Sequence, residues 1–212
     1  MPIAERLSIL SEINLLVFDL LEQDFERWEQ RALRCLPVNV NITESLLLSG
    51  IALERIKKVL QKFNYAPEMI RVEVTESIIL DRSITLSRSQ LERMHHTGIF
   101  IALDDFGTGF ANLSHLNIIP HDIIKIDRSF VQTVPHDKTM CLIIEAMIGL
   151  AQRLGKDVVC EGVEDQTTQN RLQQMGCHYF QGYLHSPPLS FEETCELLIC
   201  PEKILSNKAV SA

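Results

Sequence analysis

The sequence predicts an α/β fold built on a parallel sheet, and three observations carry that expectation. Short β-rich runs alternate with longer amphipathic stretches along the chain. The runs are near-continuous in apolar residues, as strands buried on both faces are, and each delivers a polar or ionisable residue at its carboxyl end. Strands are expected at VNVNI (38–42), IRVEV (70–74), IFIALD (99–104), DIIKID (122–127), DVVCE (157–161) and HYFQG (178–182). Helical periodicity predicts helices over 3–34, 44–63, 84–97, 138–154, 166–175 and 190–199. The punctuation agrees: Pro37 precedes the first strand, Thr43 and Glu44 open a helix, and Gly98 and Gly155 stand where helices end.

Two architectures satisfy this order, an open doubly wound sheet and a (βα) barrel. No GxGxxG follows any strand, which disfavours a dinucleotide-binding sheet. A barrel needs eight strands, and six are found.

A chain of 212 residues, 46% apolar and 23% charged, reads as one globular domain to about residue 200, with a frayed tail over 201–212. The net charge of -8 argues against binding a nucleic acid polymer or an anionic membrane surface, since no basic stripe supplies phosphate contacts. A phosphate ligand would need cations to mediate the contact. Cys35, Cys141, Cys160, Cys177, Cys195 and Cys200 form no CxxC pair and read as reduced thiols of a cytoplasmic protein. The opening MPIAERLSILSEINLLVFDLL is broken by Glu5, Arg6, Glu12, Asn14 and Asp19, so it reads neither as a signal peptide nor as a membrane segment.

The strand ends carry the chemistry. In order they present Asn41; Glu73 with Thr75 and Glu76; Asp104 and Asp105; Lys125 and Asp127; Glu161 and Glu164; and Gln181. A barrel gathers its catalytic groups at that rim. Asn41, Glu73, Asp104, Asp105 and Glu161 are hard oxygen donors with no histidine or cysteine among them, which selects Mg2+, Mn2+ or Ca2+ over zinc. Four carboxylates are too many for one divalent ion but suit two bridged by a shared carboxylate, for which Asp104 is the natural choice. Paired cations would also relieve the repulsion between Asp104 and Asp105. Lys125 could orient or deprotonate a water, or neutralise charge in a phosphoryl transition state. Taken singly, an acid after a strand is more often a helix cap or a solvated loop residue, and Thr75 and Glu76 suit a helix start equally well. The histidines, among them His95, His96 and His178, read as structural or surface residues.

EVTES (73–77), ALDDFGTGFANLSHL (102–116), IKIDRSFV (124–131), EGVE (161–164) and QGYLHSPPL (181–189), in this order and spacing, resemble the EAL family of bacterial cyclic di-GMP phosphodiesterases over about residues 2–199. The resemblance implies a modified TIM-type barrel that uses two Mg2+ or Mn2+ ions to open cyclic di-GMP to linear pGpG. It implies that Asn41, Glu73 and Asp104 hold one metal and that Asp104, Asp105 and Glu161 hold the other. Lys125 and Gln181 match positions near the nucleophilic water, with Asp127 close by. Glu76 matches a residue bracing the loop after Asp105, a loop that couples dimerisation to activity in the family, and Glu164 matches a further acid of the site. Family members carry two earlier strands, the second bearing the Glu-Ala-Leu motif, and MPIAERL resembles the segment just after them. The family's metal-binding glutamate and a substrate-contacting arginine thus have no counterpart, so impaired turnover is expected, as is homodimerisation or aggregation through unpaired edges. The competing class is a non-catalytic module that binds cyclic di-GMP or a protein; an unrelated barrel enzyme is the third reading.

Overall fold

The computed structural model describes residues 10–79, 84–108 and 116–199. The α/β reading holds: helices separate most of the successive strands. The chain divides into two compact units, Met1–Phe25 with Leu36–Lys125, and Glu26–Cys35 with Ile126–Ala212.

The first unit contains helix α1 (Leu10–Gln30) as far as Phe25, then strand β1 (Val38–Asn41), helices α2 (Glu44–Leu48) and α3 (Ile51–Phe63), strand β2 (Ile70–Thr75), helix α4 (Ile84–His96), strand β3 (Phe100–Phe106) and strand β4 (Ile123–Ile126) as far as Lys125. The strands lie in the order β1-β2-β3-β4. β1 pairs with β2 and β2 with β3, both in parallel, with Asn41 opposite Glu73 and Glu73 opposite Ala102. Parallel pairing follows from the helices that return the chain after β1 and after β2. Val40, Val72, Val74, Ile101 and Leu103 are buried with Leu47, Leu53 and Ile56 of the helices. Helix α3 buries Ala52, Leu53, Ile56, Val59, Leu60 and Phe63, the stripe expected of an amphipathic helix. Phe25 of α1 meets Phe63 and Tyr65 edge-on, with ring centroids 5.7 and 5.2 Å apart.

Thr43 caps α2 as expected, its hydroxyl accepting the Leu46 N–H at 3.4 Å. The single helix expected over 44–63 is two helices. Gly50, at φ 74°, adopts a left-handed conformation that ends the first and starts the second. Helix α1 stops at Gln30 rather than 34, and Ala32 has φ 52°. Residues 3–9 of that expected helix, residues 109–115 of the ALDDFGTGFANLSHL motif and the expected tail lie outside the described residues.

The second unit holds the rest of α1, helix α5 (Arg128–Val131), helix α6 (Lys138–Arg153), strand β5 (Asp157–Glu161), helix α7 (Gln166–Gln174), strand β6 (Tyr179–Gln181) and helix α8 (Phe191–Ile199). β5 and β6 pair in parallel, with Glu161 opposite Gln181. Asp137 caps α6 and Asp165 caps α7, each accepting backbone N–H groups of the first turn. The Trp28 and Phe191 rings stack, and the Arg27 guanidinium lies 3.4 Å from the centre of the Phe191 ring. Cys160 and Cys177 are buried free thiols. The hydrogen bond between them, together with burial, pushes Cys160 up, so it stays a neutral thiol.

The EGVE and QGY segments are locked together through the backbone. Val163 N–H donates to Gln181 O and Leu184 N–H to Val163 O, both at 3.0 Å. A Cβ on Gly182 would lie 2.2 Å from Val163 O and 2.4 Å from Val163 N. Gly182→Ala is therefore expected to cost about 3 kcal/mol through overpacking against backbone that cannot yield. Urea unfolding should show the midpoint fall; a midpoint equal to the parent's would mean that this contact opens freely.

Candidate active site

Of the ten expected site residues, six fall in the first unit and four in the second. In the first unit, Glu73 of β2, Asp104 of β3 and Lys125 of β4 meet. Lys125 Nζ stands 2.8 Å from Glu73 Oε1 and 3.0 Å from Asp104 Oδ1, with side-chain exposures of 3%, 6% and 14% for Lys125, Glu73 and Asp104. Lysine is rarely buried this deeply without paired carboxylates. The register explains how Lys125 reaches Glu73 across the intervening strand. Ala102 of β3 stands opposite Glu73, and its methyl group leaves room above the sheet.

Asp104 and Asp105 are brought together by the backbone. In a regular strand, successive side chains point to opposite faces. Asp105 has φ 55°, a left-handed conformation that aspartate tolerates better than most residues. That turn breaks the alternation, and a carboxylate oxygen of Asp104 lies within 4.8 Å of one of Asp105. Directly beyond, Gly107 N–H donates to Glu76 Oε2 at 2.8 Å, and Glu76 is buried. Thr108 N–H and hydroxyl both bond to Asp105 O. Glu76 thus ties the turn after Asp105 to the end of β2.

Asn41 ends β1 opposite Glu73, with an exposed side chain, and its backbone oxygen accepts from Asn14 Nδ2 at 3.3 Å. The residue that bonds to Glu73 is Asn39, two positions earlier: its Nδ2 donates to Glu73 Oε1 at 2.8 Å. Asn39 was absent from the expected set, although the alternation in VNVN places it on the same face as Asn41.

In the second unit, Glu161 and Gln181 end β5 and β6 as register partners. Asp127 is a helix cap, accepting the Ser129 N–H at 2.9 Å at the start of α5. Glu164 pairs with Arg128 at 3.3 Å, with both side chains at least half exposed. Such a surface pair contributes little to stability. Gly162, at φ 66°, lies so close to Arg128 that a Cβ would fall 2.3 Å from the arginine Cβ.

The first unit's residues suit a hard divalent cation. Asn41, Glu73, Asp104 and Asp105 offer oxygen alone. Asp104 Oδ1 is buried, faces Lys125 Nζ at 3.0 Å and has no hydrogen bond beyond that ion pair. A carboxylate oxygen left in that state is a natural metal ligand.

Parallel strands alternating with helices and carrying acids at their carboxyl ends place the chain among α/β barrel-type proteins, whose sites lie at that end. A family model for the EAL domain matches residues 1–188, and the chain belongs to that family. It is 32% identical to the cyclic di-GMP phosphodiesterase RocR of Pseudomonas aeruginosa over 194 residues, which cover 89% of this chain and 49% of RocR. A solved structure of the MucR phosphodiesterase in complex with c-di-GMP superposes with a TM-score of 0.80 at 29% identity, covering 91% of this chain and 78% of that one. Klebsiella pneumoniae BlrP1, solved as manganese/cy-diGMP and calcium/cy-diGMP complexes, gives a TM-score of 0.75 at 26% identity, covering 85% and 45%. The chain spans between about a quarter and a half of the length of the curated relatives it matches. The fold is the TIM-type barrel fold of this family, with six strands among the described residues. Among those residues no helix is long and apolar enough to cross a membrane.

Proposed function

We propose that this domain is a metal-dependent phosphodiesterase that opens cyclic di-GMP to linear pGpG. The observation that supports it most strongly is the buried Glu73–Lys125–Asp104 cluster with Asp105 beside it. Such a concentration of buried charge at strand ends costs stability and is retained where chemistry uses it. Asn41, Glu73 and Asp104 would hold one Mg2+ or Mn2+, and Asp104, Asp105 and Glu161 the other. When bound, these ions supply Lewis acidity toward the phosphodiester and toward a water nucleophile. Lys125, paired with its two carboxylates, orients that water and balances charge on the phosphoryl oxygens. Gln181 would offer an amide to the substrate, Glu76 fixes the turn that carries Asp105, and Asp127 and Glu164 would support their own segments through the Ser129 cap and the Arg128 pair. The buried free thiols favour a cytoplasmic setting.

A second reading, a module that binds cyclic di-GMP without opening it, draws support from Lys125, which already neutralises two of the acids. One assay separates the two. Incubating the purified chain with Mn2+ and cyclic di-GMP and resolving nucleotides by chromatography is expected to yield pGpG. Saturable binding with no pGpG would favour the binding module, and neither binding nor conversion would end both readings.

A further inference from the structure

We propose that Asn39 is a positioning residue for the candidate metal site, acting through Glu73; the inference rests on the phosphodiesterase reading above. Glu73 Oε1 receives two donors, the Asn39 amide and the Lys125 ammonium, each at 2.8 Å. A carboxylate oxygen that accepts two such bonds has both of its in-plane acceptor sites engaged. Oε2 is then the oxygen left to a cation, and the two donors fix the plane in which it is presented.

The strand register makes this contact available. Asn39 stands opposite Arg71, two register pairs below the Asn41–Glu73 pair and on the same face, so it reaches Glu73 along the diagonal of the parallel ladder. Arg71 does not compete for the carboxylate; its guanidinium lies over the Phe100 ring, 5.8 Å from the centroid. The donor identity is chemically determined, because a carboxylate facing an amide at this distance accepts from the nitrogen. Asn39 therefore does for Glu73 what outer partners of metal ligands do generally: it orients the ligand without touching the ion. The two asparagines of VNVN would divide the labour, with Asn41 able to offer an oxygen to an ion and Asn39 giving a nitrogen to the neighbouring carboxylate.

The test is a titration of Mn2+ alone into the full chain, with free Mn2+ followed by electron paramagnetic resonance. Asn39→Leu keeps the size of the side chain and removes the donor; it is expected to weaken Mn2+ binding roughly tenfold. Asn39→Gln retains an amide and is expected to recover most of that loss. A purely structural hydrogen bond would lower the melting midpoint yet leave the affinity of the still-folded chain unchanged. Parental affinity in folded Asn39→Leu would therefore overturn the proposal while leaving the phosphodiesterase reading intact. A parent chain that takes up no Mn2+ would sink that reading, and this inference with it.

Discussion

Asp104→Asn is expected to abolish whatever conversion of cyclic di-GMP the chain supports, a fall of at least about a hundredfold, beyond the 10–100-fold range typical of losing an outer-shell partner. The substitution is isosteric and removes one charge beside Lys125, while the Lys125–Glu73 pair stays in place, so the fold should persist. The loss is expected because Asp104 is the one residue assigned to both ions, and its Oδ1 is buried without a hydrogen bond. The measurement pairs pGpG formation with Mn2+ uptake on the same preparation, and both should fall. Undiminished turnover in a folded Asp104→Asn chain would remove the bridging role and the two-ion assignment with it.

Lys125→Met should produce the second large effect, on stability as well as turnover. It leaves Glu73 and Asp104 facing each other in a site where both are largely hidden from water. Removing one member of a buried ion pair costs about 3–5 kcal/mol, because the remaining charge is uncompensated. In a domain of this size that corresponds to a melting midpoint lower by roughly 10 °C. Added Mn2+ should restore part of the loss, since an ion bound by the folded state alone stabilises it by mass action. A midpoint that stays within about 2 °C of the parent would show that the two carboxylates do not depend on the lysine.

The strand ends were legible because burial and chemistry leave opposite marks on one short segment, as in IFIALDD, where apolar residues run straight into two aspartates. Capping was legible at Thr43 for a similar reason, a hydroxyl at the boundary between two periods. The break at Gly50 was missed because the apolar stripe continues across it, and a glycine inside such a stripe looks like a tolerated exception. Helix α5 is only four residues long, too short for periodicity to register. The partnership of Lys125 with Glu73 was invisible for a different reason. The two residues stand on strands separated by β3, and only the register that sets Ala102 between them reveals the opening. Asn39 was overlooked because a polar residue inside a strand ordinarily marks a solvated face; its role depends on a diagonal neighbour 34 positions away.

The positive φ at Asp105 bears on how substitutions along this rim are to be interpreted. Alanine there would remove a charge and, in the same stroke, place a side chain ill suited to the left-handed region at a bend that sets the spacing of two acids. Asparagine shares the tolerance of aspartate for that region, so it withdraws the electrical contribution and leaves the hinge of the chain alone. An alanine scan would thus charge to chemistry what belongs partly to backbone shape.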